Sequence, residues 1–119
     1  MPTQPEQLRE RTKQFAIRIV RLFRRLPKNE EARIIGKQAL RAGTSVAANY
    51  RAVCRARSRA EFIAKMGIAV EEADETVFWL ELLVETGIVP KERMADLLTE
   101  TNELLAILAA SQRTARAGN

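Results

Sequence analysis

The chain has 119 residues, 20 Lys plus Arg against 15 Asp plus Glu, one Cys and no His, with 46% hydrophobic and 29% charged residues. This is one domain's length at an ordinary soluble composition, too poor in Gly and Pro for a disordered or collagenous chain. Without His there is no Ser-His-Asp or Cys-His pair, no imidazole base and no His-ligated metal, and a single Cys allows neither an internal disulfide nor a thiolate zinc cluster.

The first predicted helix opens at Pro5 and carries Leu8, Phe15, Ile19, Leu22 and Leu26 on one face, widened by Ala16, Val20 and Phe23. Pro27 ends it by disfavouring helix at Leu26. Asn29 caps the second helix, with Glu30 and Glu31 suiting its positive end. That helix carries Ile35, Ala39, Ala42, Val46, Asn49 and Val53 at spacings of four and three. Ser58 and Glu61 have the spacing of a capping box at the head of a third helix. Its seam holds Phe62, Met66, Ala69, Ala73, Thr76, Leu80 and Leu83. Gly87 suits a left-handed terminator and Pro90 a helix start, opening a fourth helix packed through Met94, Leu97, Leu98, Thr101, Leu104, Leu105 and Leu108. Helices over roughly 5–26, 29–57, 59–86 and 90–113, joined by short turns and without any period-two run, predict an all-α, antiparallel up-down-up-down four-helix bundle as a single domain.

Residues 1–59 hold 15 basic and four acidic side chains (net +11), whereas residues 60–119 hold five basic and eleven acidic ones (net −6). A segment so basic suits a polyanion or an acidic surface, unless the two halves pair with each other. On the second helix, Arg33, Lys37, Arg41, Arg51 and Arg55 fall within about 40° of one line opposite the apolar face, spanning about 33 Å. No acid occurs from Ala32 to Ala60. The first helix adds Arg11, Arg18, Arg21 and Arg25 on one flank of its apolar face. Arginine dominates these cations and suits bidentate phosphate contacts, while stacking aromatics are few. The expected ligand is RNA or DNA, bound through backbone phosphate with strong salt dependence and weak sequence preference. The alternative is a protein-interaction scaffold whose basic face docks an acidic partner or a neighbouring subunit.

Glu71 with Glu75, and Glu81 with Glu85, have the spacing of a divalent-metal or acid–base pair, yet a di-iron bundle needs Glu-x-x-His motifs that are absent. These carboxylates are expected to pair with Arg instead, leaving no catalytic residues, no metal site and no cofactor. Asn49 and Thr76 fall in helical seams, where a buried polar group can fix register. Gly43 and Gly67, in helix interiors, suggest close approach of another helix. Phe78 and Trp79 offer more apolar area than one bundle covers and point to an oligomer interface. Cys54, beside Val53, reads as a buried or half-buried small residue. The opening residues show no signal-peptide pattern and no run is long enough to span a membrane, so a cytoplasmic location is expected.

Two runs are more specific. Leu26-Pro27-Lys28, Ile35-Gly36-Lys37-Gln38 and Arg41 through Ala52 form the first, and Glu61 through Met66 followed by Glu71 through Leu83 form the second. Together they resemble the four-helix-bundle protein family encoded in intervening sequences of bacterial 23S ribosomal RNA genes, which includes the accessory variability protein of diversity-generating retroelements. The resemblance extends from about Phe15 to Ala109. It implies a ring-shaped homopentamer of four-helix bundles. In the retroelement branch it implies binding to a reverse transcriptase and nucleic acid. The intervening-sequence branch has been labelled ribosomal, and the sequence does not decide between the two. The resemblance transfers no active-site residues.

Overall fold

A computed structural model describes residues 3–118. Four helices account for nearly all of them: α1 (Gln4–Arg25), α2 (Glu30–Cys54), α3 (Arg59–Glu85) and α4 (Lys91–Ala117). They pack as a four-helix bundle, with no strand among the described residues.

Local chemistry sets most of the ends. Thr3 caps α1 through its Oγ1, which accepts from the Glu6 amide at 3.2 Å while the Glu6 carboxylate accepts from the Thr3 amide at 3.4 Å. The helix thus starts before Pro5, which sits inside the first turn, where its missing N–H leaves no bond unmade. Asn29 caps α2 by accepting from the Ala32 amide at 2.9 Å. Ser58 accepts from the Glu61 amide at 3.1 Å, and Glu61 itself pairs with Lys65 rather than returning to Ser58. Gly87 terminates α3 at φ +79°, a conformation only glycine adopts without strain, and the Val89 amide closes the turn onto the Leu83 carbonyl.

Two ends differ from expectation. The second helix stops at Cys54 rather than near 57, with Arg55 as its cap residue. The fourth continues through Arg113 to Ala117 instead of fraying after 113. Its terminal carbonyls are held: the Arg59 guanidinium donates to the carbonyls of Ala115 (2.7 Å) and Arg116 (3.0 Å), placing a cation on the negative end of the helix.

The core runs through Phe15, Ile19, Val46, Met66, Leu80, Leu83, Met94, Leu104 and Leu108, all essentially inaccessible. Small residues on α2 let α1 approach closely. A Cβ on Gly43 would lie 2.7 Å from Ile19 Cγ1, and one on Gly36 would lie 2.4 Å from Leu26 Cδ1. Gly67 instead faces the Gln112 side chain of α4, whose Nε2 donates to the Ile63 carbonyl at 3.2 Å. Thr76 is fully buried, but its hydroxyl donates to the Glu72 carbonyl one turn back, as do those of Thr12 and Thr101 to their own helices. Asn49 is half-buried and donates to the Ser45 carbonyl. Neither seam polar reaches across to another helix, so the register is carried by packing. Tyr50, not Asn49, enters the core; burial, with a smaller contribution from Cys54, pushes its pKa up to about 12. Cys54 is exposed, since it is the last residue of α2.

The packing is unequal. Helices α1 and α2, α2 and α3, and α3 and α4 meet along their lengths, whereas α1 touches α4 only sparingly. That seam is the least closed of the four.

Candidate nucleic-acid interface

All eight cations singled out in the sequence, Arg18, Arg21, Arg25, Arg33, Lys37, Arg41, Arg51 and Arg55, are exposed on the surface. The structure does not hold them as one stripe. It divides them into three groups with different surroundings.

Arg41 is structural. It leans from α2 onto α3, where its guanidinium donates to Glu72 at 3.2 Å and to Glu75. The Glu75 carboxylate also accepts from Trp79 Nε1 at 3.2 Å, so Arg41, Glu75 and Trp79 form one network. This removes Glu75 from any Glu71–Glu75 pairing. It also commits much of Trp79 to its own subunit, where the indole packs half-buried against the core. Phe78 meets Trp79 edge-on at 4.9 Å between ring centroids but is itself 53% exposed. Of the two residues assigned to an interface, Phe78 is the one left open.

Arg33, Lys37, Arg51 and Arg55 form the second group, with α1 contributing residues that the α2 wheel could not show. Arg33 and Lys37 line an open cleft of about 760 Å³ with Lys28, Phe23, Pro27 and Ile34. Further along, Arg51, Ala47 and Ala48 line a groove of about 490 Å³ with Arg9 and Lys13 of α1. Arg24 and Arg21 join Lys13 on the outward side of α1, around Ile17 and Val20. Short Ala side chains keep the α2 floor low, so long cations from both helices border it. Among the described residues, none of these cations has a carboxylate within 4.0 Å. Glu10, which borders the same groove, is engaged by the Gln14 amide at 2.7 Å.

Arg18, Arg21 and Arg25 form the third group and turn toward α4. With Arg93 they rim a cleft of about 450 Å³ floored by Leu22, Leu26, Ile88, Val89, Pro90 and Leu97. Arg11, placed with them by spacing, behaves differently. Its Nε and Nη2 donate to the two Glu100 oxygens at 2.8 and 2.6 Å, and Nη2 also meets Glu103 at 2.8 Å. That bond holds the Glu100 carboxyl below the usual carboxylate range, and the Arg11 guanidinium above its ordinary value.

Of the four α3 carboxylates expected to pair with Arg, only Glu75 does so; Glu71, Glu81 and Glu85 are exposed with no Arg within 4.0 Å among the described residues, and the other carboxylates that do pair with Arg are Glu72, Glu100 and Glu103. No group of three or more Cys, Asp or Glu side chains converges as a metal site would among the described residues. Among the described residues, no helix is long and apolar enough to cross a membrane.

No curated protein matches the chain. The family model described as 23S rRNA-intervening sequence protein matches residues 6–110. A crystal structure from Bacteroides thetaiotaomicron, of a protein of unknown function from the S23 ribosomal protein family, superposes with a TM-score of 0.87. The two chains are 36% identical over 94% of this chain and 100% of that one. The chain therefore belongs to the 23S rRNA-intervening sequence protein family, as its two diagnostic runs imply.

Proposed function

We propose that this member of the 23S rRNA-intervening sequence protein family is a non-catalytic nucleic-acid-binding accessory protein that contacts RNA or DNA through backbone phosphate. The observation that carries the reading is the α1–α2 face, where Arg9, Lys13, Arg24, Arg33, Lys37 and Arg51 stand exposed without ion-pair partners among the described residues. Such a face, with many cations, few aromatics and Asn29 as the one side-chain amide in its clefts, favours phosphate contact over base recognition. Arg55 extends the field at the end of α2.

In this reading the bundle is up-down-up-down. Gly43 beside Ile19 and Gly36 beside Leu26 support opposed α1 and α2; Arg59 beside Ala115 and Arg116 supports opposed α3 and α4. The subunits form a ring-shaped homopentamer in the cytoplasm, with exposed Phe78 at the subunit boundary. Fivefold repetition raises avidity for a long polyanion. A reverse transcriptase or the ribosome is the larger assembly it would serve.

The test is a titration of duplex RNA and duplex DNA at several salt concentrations, with wild type and an Arg33→Gln/Lys37→Gln/Arg51→Gln/Arg55→Gln variant. Binding that weakens steeply with salt in the wild type and is lost in the variant supports the reading. Absence of salt-dependent binding, or equal binding by the variant, overturns it.

A second reading rests on a different observation. Glu71, Asp74, Glu81 and Glu85 are exposed along α3, so a neighbour's acidic face has the charge to dock on the α1–α2 cations. In that case the protein is an interaction scaffold. The four-Gln variant would then lower the mass measured in solution rather than the affinity for nucleic acid.

A further inference from the structure

The α1–α4 seam is closed at one end and open at the other. Arg11 fastens α1 to α4 through Glu100 and Glu103. Toward the turns Arg18, Arg21 and Arg25 of α1 face Arg93 of α4 across a cleft of about 450 Å³ with no carboxylate in its lining, Glu92 and Asp96 of α4 lying outside it. Four like charges around an aliphatic floor oppose closure of the helices; among the described residues none of them has a carboxylate within 4.0 Å, and only Arg18, through the nearby Glu100, feels an opposite charge from the clasp.

We infer that this cleft is a docking site for an acidic amphipathic helix of a partner polypeptide. Three features select that occupant. The floor, from Leu22 to Leu97, is aliphatic, so it can take apolar side chains but offers no ring on which a base could stack. No amide or hydroxyl side chain lines it to read a base edge. The α1 rim presents cations at spacings of three and four residues, covering about 10 Å of helix axis, which is the spacing of Asp or Glu on one flank of another helix. A helix laid between α1 and α4 would bury Leu-type side chains on the floor and set carboxylates against the four guanidinium groups, where paired hydrogen bonds favour Arg over Lys. This site does not rest on the phosphate reading, which uses the outward side of α1 and the outer face of α2; Arg21 alone borders both.

The experiment uses the full-length protein and three labelled synthetic peptides of about 18 residues, long enough for several helical turns. One carries Leu on a helical face flanked by Glu, one has the same composition scrambled, and one has Lys in place of Glu. Fluorescence anisotropy should show saturable binding of the first alone. Arg21→Glu/Arg93→Glu should weaken it by about tenfold or more, corresponding to about 1.4 kcal/mol. Both side chains are exposed, so that variant should keep wild-type helicity and melting temperature. The four-Gln variant of the α2 face should bind the peptide as wild type does, separating failure of this site from failure of the phosphate field. Equal binding of the scrambled or Lys peptide, or full affinity in the Arg21→Glu/Arg93→Glu variant, overturns the inference. Displacement of the peptide by short duplex RNA that itself loses affinity in that variant would overturn it too, assigning the cleft to nucleic acid instead.

Discussion

The α1–α2 half and the α3–α4 half of the bundle carry opposite charge and treat it differently. Of the 15 cations in residues 1–59, only Arg11 and Arg41 reach a carboxylate among the described residues. Each makes a clasp onto two glutamates at a helix–helix boundary. The idea that the two halves exist to neutralise each other therefore fails at most positions. The cations point outward from α1 and α2, and many of the acids point outward from α3. Charges held apart in this way cost little when solvated, and they leave two faces of opposite sign available for partners.

Breaking that asymmetry on the basic side has the largest expected effect. The Arg33→Gln/Lys37→Gln/Arg51→Gln/Arg55→Gln variant should reduce the slope of log affinity against log salt by about four, one for each phosphate no longer neutralised. Its melting temperature should hardly change, because among the described residues these side chains have no hydrogen-bond or ion-pair partners. A flat salt response in the wild type would remove the phosphate field altogether. Next in size is the glycine that lets the basic half pack. Gly43→Ala drives a methyl group into fully buried Ile19, and overpacking of that kind costs about 1–3 kcal/mol, offset by a helix-propensity gain of up to about 1. Urea melts should place Gly43→Ala below wild type. Gly67→Ala, which meets only the far end of the Gln112 side chain, should fall close to it.

Reading charge from the helical wheel succeeded for orientation and failed for partnership. The wheel places Arg33, Lys37, Arg41, Arg51 and Arg55 on the outward face of α2, and all are exposed. It cannot show that Arg41, at the edge of that arc, lies beside Glu72 and Glu75, because those are more than thirty residues away in the chain. Arg11 and Arg59 were beyond reach for the same reason: their acceptors, Glu100 and the carbonyls of Ala115 and Arg116, become neighbours only when the bundle forms. Helix ends set by adjacent residues, such as those at Asn29, Ser58 and Gly87, were legible. The end of α2 has no Gly or Pro to mark it, and the end of α4 depends on the distant Arg59. Asn49 and Tyr50 are successive residues about 100° apart on the wheel, and periodicity alone assigned the core position to the wrong one.

Arg11→Gln sharpens the contrast from the side of the paired cations. After allowance for solvent screening of a partly exposed pair, the loss should be about 1 kcal/mol in a low-salt melt. The sign with pH follows from Glu100, whose pKa is lowered in the folded state by the Arg11 bond. Such a carboxylate contributes its full stabilisation above the ordinary glutamate value of 4.5, and loses it as pH falls through the lowered folded value. Wild type should therefore lose more stability than Arg11→Gln on acidification from about pH 6 through that window. Parallel curves would mean that the clasp contributes nothing.

The smallest expected effect is the most discriminating. Arg41 lies on the same helix face as the phosphate-binding candidates, yet half of its side chain is covered and its guanidinium is already bound by two carboxylates. If charge density alone governed binding, Arg41→Gln would weaken nucleic-acid affinity as much as Lys37→Gln does. If partnership governs it, phosphate must compete with Glu72 and Glu75 for the guanidinium, and Arg41→Gln should leave the salt slope nearly unchanged. Its cost should appear instead as a stability loss of less than about 1 kcal/mol, the range of an exposed ion pair. The Glu75 carboxylate it releases also accepts from the Trp79 indole, so the emission of the single tryptophan should shift in Arg41→Gln and stay fixed in Lys37→Gln. Equal affinity losses for the two variants would show that the clasp opens when nucleic acid binds, and that the basic face is wider than its unpaired members.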